Sequence, residues 1–308
     1  MDVLSDAITA MRTGRPHAGH NRRAVPWGLR FPPAEGAGFH IVLRGSAWVF
    51  PQDGEPVRLD AGDVALLPGG RSYGIADSPQ TELREVTLGP DGLLPLLPET
   101  RGDGAEATLL LCGTYLLSRA RPHPLLAELP PVVHLSARSG RHQALRSVID
   151  LLSAELTDHR PGSGTAVPAL LDTLLLYILR AWFEEQRTRT GTGWAAALSD
   201  PAIGAALEAI HAEPAHGWTV GELGARAGLS RAAFARRFTA LVGRPPLGYL
   251  TWWRMTSGSR LLRESEAPLR VVAQQTGYVS EFAFAKAFKR EYDLSPGRYR
   301  EQHRASSA

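Results

Sequence analysis

Hydrophobic and polar positions change their period twice along the 308 residues. Val3 to Met11 read as a short amphipathic helix, and the polar stretch TGRPHAGHNRR behind it reads as an arm. From about Ala24 to Leu135, short apolar runs such as FHIVLRGSAWVF, PVRLDAGDVALLPGG and TELREVTL are punctuated by Gly, Pro and Asp. That texture predicts short antiparallel strands and tight turns, a sandwich or barrel. Beyond Ser139 the period becomes helical. Leu145, Val148, Ile149, Leu152 and Leu156 fall at i, i+3, i+4, i+7 and i+11, one apolar stripe. After the turn RPGSG, a second helix from roughly Val167 to Arg187 carries Leu170, Leu171, Leu174, Leu175, Ile178, Leu179 and Trp182 around most of its circumference. Such a helix has to be covered on more than one side, either by a second subunit or inside its own. TRTGTGW (Thr188 to Trp194) reads as a flexible linker, and short helices follow it.

Those helices contain a repeat. GLSRAAFARRFTALVGRPPLGYL begins at Gly228, and GYVSEFAFAKAFKREYDLSPGRYR begins at Gly277. With one extra residue allowed at Val279, Ser230, Phe234, Phe238, Pro246 and Tyr249 recur fifty residues on as Ser280, Phe284, Phe288, Pro296 and Tyr299, and Arg236 recurs as Lys286. Each copy has a mechanical logic. A glycine stops a first short helix, and a serine caps the second. Two phenylalanines four residues apart face inward, while the cation two positions after the first Phe lies about 200° around the helix and faces outward. This is a helix-turn-helix with a cationic outer face. Between the copies, Pro245 to Ser265 should form a longer helix of about 27 Å, able to hold two recognition helices roughly one DNA turn apart.

Charge supports that division. From Asp200 to Ala308 there are 15 Lys and Arg against 10 Asp and Glu, leaving 19 against 21 in the rest of the chain. A basic rear half suits a polyanionic partner. The single cysteine, Cys112, forbids an intramolecular disulfide and fits a reducing compartment. The N-terminus carries no signal-peptide pattern, and the most apolar run, Pro168 to Phe183, is shorter than a membrane span and interrupted by Asp172 and Arg180. A cytoplasmic protein with no membrane partner is expected.

The repeated GxSxxxFxRxF and GYxSxxxFxKxF, closed by SPGRYR, strongly resemble the DNA-binding domain of AraC/XylS-type transcription regulators over about Ile203 to Arg304. The resemblance implies base contacts from Ala232, Ala235 and Arg236 in the first copy and from Phe282, Ala283 and Lys286 in the second. Arg231, Arg237, Lys289 and Arg290 would meet phosphates, which position without reading sequence. Ser280 is counted with these DNA-binding residues as well as being a helix cap. Phe282 reads equally as a core residue. Alanine at three base-facing positions departs from the longer polar side chains often found there, so readout would lean on thymine methyls, on Arg236 with guanine, and on DNA shape.

FHIVLRGSAWVF with LDAGDVALLPGGRSYGIAD resembles the two-motif pattern of a cupin barrel, as found in a subfamily of AraC-type regulators. The metal ligands of that pattern are missing: His40 stands alone, Val42 fills the second His position, and Tyr73 fills the third. One histidine cannot hold a first-row metal, so neither metal, cofactor nor catalytic residue is expected. The barrel remains a pocket for a small effector, with His40, Trp48, Arg71 and Tyr73 as candidate lining residues or as ordinary strand and turn residues. Cys112 reads as a buried small hydrophobe rather than a redox sensor.

The expected architecture is α+β and multidomain: an N-terminal helix and arm (1–23), a cupin-like β-barrel (24–138), a helical middle segment (139–190) and an all-α domain with two helix-turn-helix units (198–308). The expected function is a sequence-specific, DNA-binding transcription regulator that responds to an effector. Its partners would be promoter duplex DNA, RNA polymerase and a second copy of itself. Two rivals remain: a constitutive architectural DNA binder with an inert barrel, and a cupin enzyme with a DNA tether.

Overall fold

The computed structural model describes residues 2–34, 36–89, 95, 107–117, 123–137, 140, 142–158, 160–189 and 193–305. The chain forms two compact units: Arg12–Arg119 with Leu129–Trp182, and Met1–Met11 with Ala120–Glu128 and Phe183–Ala308. The front is β-rich and the rear helical, as the change of period predicts.

The first unit is built on strands β1 (His17–Ala24), β2 (Gly28–Phe31), β3 (Ala37–Arg44), β4 (Ser46–Pro51), β5 (Val57–Asp60), β6 (Val64–Leu67), β7 (Tyr73–Ala76), β8 (Arg84–Glu85), β9 (Ala107–Tyr115) and β10 (Val133–Leu135). They make two five-stranded sheets, ordered β1-β9-β3-β6-β10 and β5-β4-β7-β2-β8. Pairing is antiparallel except between β2 and β8. Val42, Ala65 and Leu110 of one sheet meet Val49, Leu59 and Ile75 of the other in one core. Alternate side chains of β4 turn toward this core, whereas β6 and β7 are buried at every position and β3 at all but its last two.

One sequence reading is corrected here. The polar arm is β1, whose residues pair with β9 from His17↔Thr114 to Ala24↔Ala107. Apolar alternation is missing from HAGHNRRA because the alternate positions that face inward are Gly19, Asn21 and Arg23, the last two buried.

Helices α3 (Gln143–Asp158) and α4 (Ser163–Arg189) follow the strands, α4 running into the second unit after Trp182. Leu145, Val148, Ile149 and Leu152 of α3 are buried, as the stripe predicts, and His20 of β1 bonds Ser153 at 2.8 Å. In α4 Leu171, Leu174, Leu175, Ile178 and Leu179 are buried, Tyr115 donates its hydroxyl to the Leu171 carbonyl, and Asp172 pairs with Arg12. By length and composition the Ser163–Arg187 stretch could cross a membrane, a longer helix than the sixteen-residue run suggests. Of the expected linker, residues 190–192 lie outside the described residues; helix continues to Arg189 and resumes at Gly193.

The second unit contains α1 (Val3–Met11), α2 (Pro124–Ala127), α5 (Gly193–Ser199), α6 (Pro201–Ala212), α7 (Val220–Arg226), α8 (Arg231–Val242), α9 (Pro246–Glu264), α10 (Leu269–Gln275), α11 (Glu281–Tyr292) and α12 (Pro296–Ala305). The N-terminal helix α1 packs on α6 and α9, two hundred residues away in sequence.

Candidate nucleic-acid interface

The two halves of the repeat fold alike. In the first, Thr219 and Glu222 cap α7 reciprocally, a capping box. Gly228 then takes φ 65°, and Gly277 in the second copy takes φ 76°, left-handed values that stop α7 and α10. At Gly277 a Cβ would also stand 2.9 Å from the backbone of Ala215, so space as well as conformation selects glycine. Ser230 accepts the Ala233 N–H at 3.3 Å to start α8, and Ser280 accepts the Ala283 N–H at 3.1 Å to start α11.

Behind each recognition helix the aromatic packing repeats too. Phe234 and Phe238 have ring centroids 5.5 Å apart, as do Phe284 and Phe288, and all four are buried. Phe238 meets Tyr249 edge-on at 5.9 Å, and Phe288 meets Tyr299 edge-on at 5.2 Å. The tyrosine hydroxyls are satisfied differently: Tyr249 by His211 at 2.7 Å, Tyr299 by Arg263 at 2.8 Å. Between the copies, α9 has nineteen residues and so spans about 28 Å. At Gly258 a Cβ would lie 2.8 Å from the Phe284 ring; the bare backbone is what admits α11 so close.

The outward faces carry the cations. Arg231, Ala232, Arg236 and Arg237 of α8 and Phe282, Lys286, Lys289 and Arg290 of α11 are exposed, and Ala235, Ser280 and Ala283 are partly so. Phe282 is 79% exposed and packs into no core, which removes that half of its double reading. Arg237 is already engaged: its Nε donates to Asp200 at 2.7 Å, while Asp200 also caps α6. Two of the three α9 arginines serve structure, Arg254 donating to the Pro214 and His216 carbonyls and Arg263 to the Ala10 carbonyl. Charge counts in sequence cannot separate these from the outward cations, of which Arg290 is also paired, with Glu291.

A helix-turn-helix domain model matches residues 223–302, and a cupin model matches residues 2–184. A putative AraC-like transcription regulator of Streptomyces antibioticus is 35% identical over 97% of this chain and 98% of its own. The chain belongs to the AraC-type transcription regulators. The HTH-type transcriptional regulator AlkR of Acinetobacter baylyi is 28% identical over 98% of this chain and all of its own. Among solved structures, the DNA-binding domain of AdpA in complex with a target DNA is 35% identical, covering 34% of this chain and 95% of that one, with a TM-score of 0.33. This AraC-type regulator is a DNA-binding transcription regulator, with a cupin domain ahead of its helix-turn-helix domain in sequence.

Within the barrel, the four candidate effector residues separate. His40 and Tyr73 line a cavity with Asn21, Phe31, Leu110 and Cys112. Trp48 does not, because Ala47 and Val49 take the inward positions of β4 and leave it on the outer face. Arg71 is exposed two residues ahead of β7 and paired with Asp53. The buried His40 bonds Tyr73 through Nε2 at 2.9 Å and Cys112 through Nδ1 at 3.1 Å. Burial lowers the His40 pKa to about 4 and pushes the Cys112 thiol up to about 12, so both are neutral at pH 7. A neutral thiol is a poor nucleophile, consistent with its reading as a small hydrophobe. Among the described residues no three His, Cys, Asp or Glu side chains converge as metal ligands. Sequence reasoning missed Asn21 and Cys112 as lining residues; the i, i+2 spacing of Asn21 from Gly19 was the available signal.

Proposed function

We propose that α8 and α11 enter successive major grooves on one face of promoter DNA. Arg236 and Lys286 approach base edges beside Ala232, Ala235, Phe282 and Ala283, and Arg231, Lys289 and Arg290 meet phosphates. One observation carries this reading: two serine-capped helices, braced on the same α9, each set exposed cations opposite a buried phenylalanine pair. Arg237 and Ser280 contribute as braces as much as contacts. In this reading the regulator acts in the cytoplasm without a catalytic step, contacts RNA polymerase at the promoter, and pairs with a second copy through α3 and α4, where Leu151 is 57% exposed. The barrel takes a small effector that biases DNA affinity. Arg236→Ala and Lys286→Ala should each weaken operator binding by about 1–3 kcal/mol in a footprinting titration. Wild-type affinity in both variants removes these residues from the interface.

A further inference from the structure

The two copies of the repeat part company at the entry to their recognition helices. Tyr278 of the second copy stands where the first has Leu229, Phe282 stands where it has Ala232, and Val279 is the extra residue with no counterpart. Val279 is 100% exposed and Phe282 79%, the two most exposed large hydrophobic side chains among the described residues. Exposed apolar side chains scattered singly are ordinary on a protein surface; here the two extremes fall within four residues of each other.

The fold uses neither side chain. A hydrophobic residue just ahead of a helix cap commonly packs on the fourth helical position, which in α11 is Phe284. Tyr278 has taken that place, meeting Phe284 edge-on at 5.6 Å, and Val279 is left in water. Phe282 is two positions from Phe284, so about 200° around the helix from the buried ring. Lys286 and Lys289, also exposed, follow Phe282 at i+4 and i+7 and share its face. Glu281, at the first helical position, has its charge favoured by the helix dipole. A protein covering this apolar pair would have to bury Lys286 as well, whereas a duplex supplies acceptors for that charge beside apolar methyl groups.

We infer that the second helix-turn-helix unit selects thymine through Val279 and Phe282, which close on 5-methyl groups in the major groove. This rests on the reading that α11 enters that groove and adds which base it takes there. Thymine presents a methyl group on its major-groove edge, whereas cytosine presents an N–H donor and adenine a donor and an acceptor. Those polar edges would lose water against an aromatic ring and gain no partner. The first unit, with Ala232 and no residue matching Val279, has no such patch. The two halves of the operator therefore differ in character: one is read through Arg236, the other through thymine methyls.

The test uses full-length protein and the duplex it enriches from a random-sequence pool. Each thymine of that duplex is replaced in turn by deoxyuridine, which removes the 5-methyl group and keeps the base pair. Wild type should lose about fourfold in affinity per contacted methyl, at one or two positions confined to one half of the protected site. Phe282→Ala and Val279→Ala should bind the thymine duplex more weakly and no longer distinguish it from the deoxyuridine duplex at those positions. Lys286→Ala should weaken binding to both duplexes alike and keep the distinction. Both apolar side chains are exposed, so their replacement leaves the fold in place, read as an unchanged melting temperature. Deoxyuridine tolerated at every position, an enriched site with no thymine in either half, or discrimination retained in both Phe282→Ala and Val279→Ala overturns the thymine assignment and leaves α11 a DNA-binding helix. A pool from which no duplex is enriched overturns the reading of α8 and α11 as sequence readers, and this assignment with it.

Discussion

His40 shows how one side chain reports its surroundings. In the unfolded chain it takes up a proton near pH 6.5, whereas burial holds the folded value at about 4. The unfolded state therefore binds more protons between these values, and stability falls as pH drops through that window. The loss from this residue approaches about 3 kcal/mol by pH 4. Replacing it by Asn should flatten the pH dependence of the unfolding free energy between pH 6.5 and 4; an unchanged slope means His40 is hydrated. Asp63 acts lower down. Burial pushes its carboxyl up, but bonds from the Ala137 N–H, His134 and the Asp60 N–H prevail and hold it below its ordinary 3.8, so its contribution disappears only in stronger acid. Neither environment is legible in sequence: HIVL and DAGDV do not say which partners the fold will bring.

Helices and strands were legible to the extent that their chemistry is local. Ser230 and Ser280 announce their caps because the hydroxyl bonds an N–H three residues on. Replacing either by Ala should destabilise its recognition helix by about 1 kcal/mol, read as faster amide exchange in the first turn of α8 or α11. Exchange at the wild-type rate in both variants would mean the caps are dispensable. Glycine stops and phenylalanine pairs were similarly visible, since both follow from helical geometry. β1 was not, because its inward positions are occupied by Gly19, Asn21 and Arg23 rather than by apolar residues, and period-two reasoning depends on that contrast. The full length of α4 was hidden in the same way, its ends being polar.

At the scale of the molecule, chain order and packing part company. α1 opens the sequence ahead of the barrel, yet Val3, Leu4, Ala7, Ile8 and Met11 are buried in the unit of the C-terminal helices. Asp6 lies 3.3 Å from His211, whose ring stacks on Trp253 at 3.8 Å, and the Met11 sulfur accepts the His123 N–H. His123 joins this cluster at Trp194 and Trp252, so it belongs with the helices and not with the barrel histidines near which it sits in sequence. An Ile8→Asp substitution should therefore destabilise the DNA-binding unit by about 3 kcal/mol and speed amide exchange in α6 and α9. Exchange changes confined to the strands would show that α1 is not part of that unit.

The sequence by itself determined the family, the α+β class and the duplicated helix-turn-helix, because caps, stops and phenylalanine pairs act over three or four residues and repeat. It also marked the outward cations, which one turn of helix is enough to place. Only tertiary structure decided that Phe282 faces solvent, that Trp48 and Arg71 stand outside the cavity, that α1 serves the rear unit, and that Arg23 is buried with its Nε held by Asn21. Each of these depends on what distant segments bring within a few ångströms, and burial and pairing energies exist only once that approach has been made.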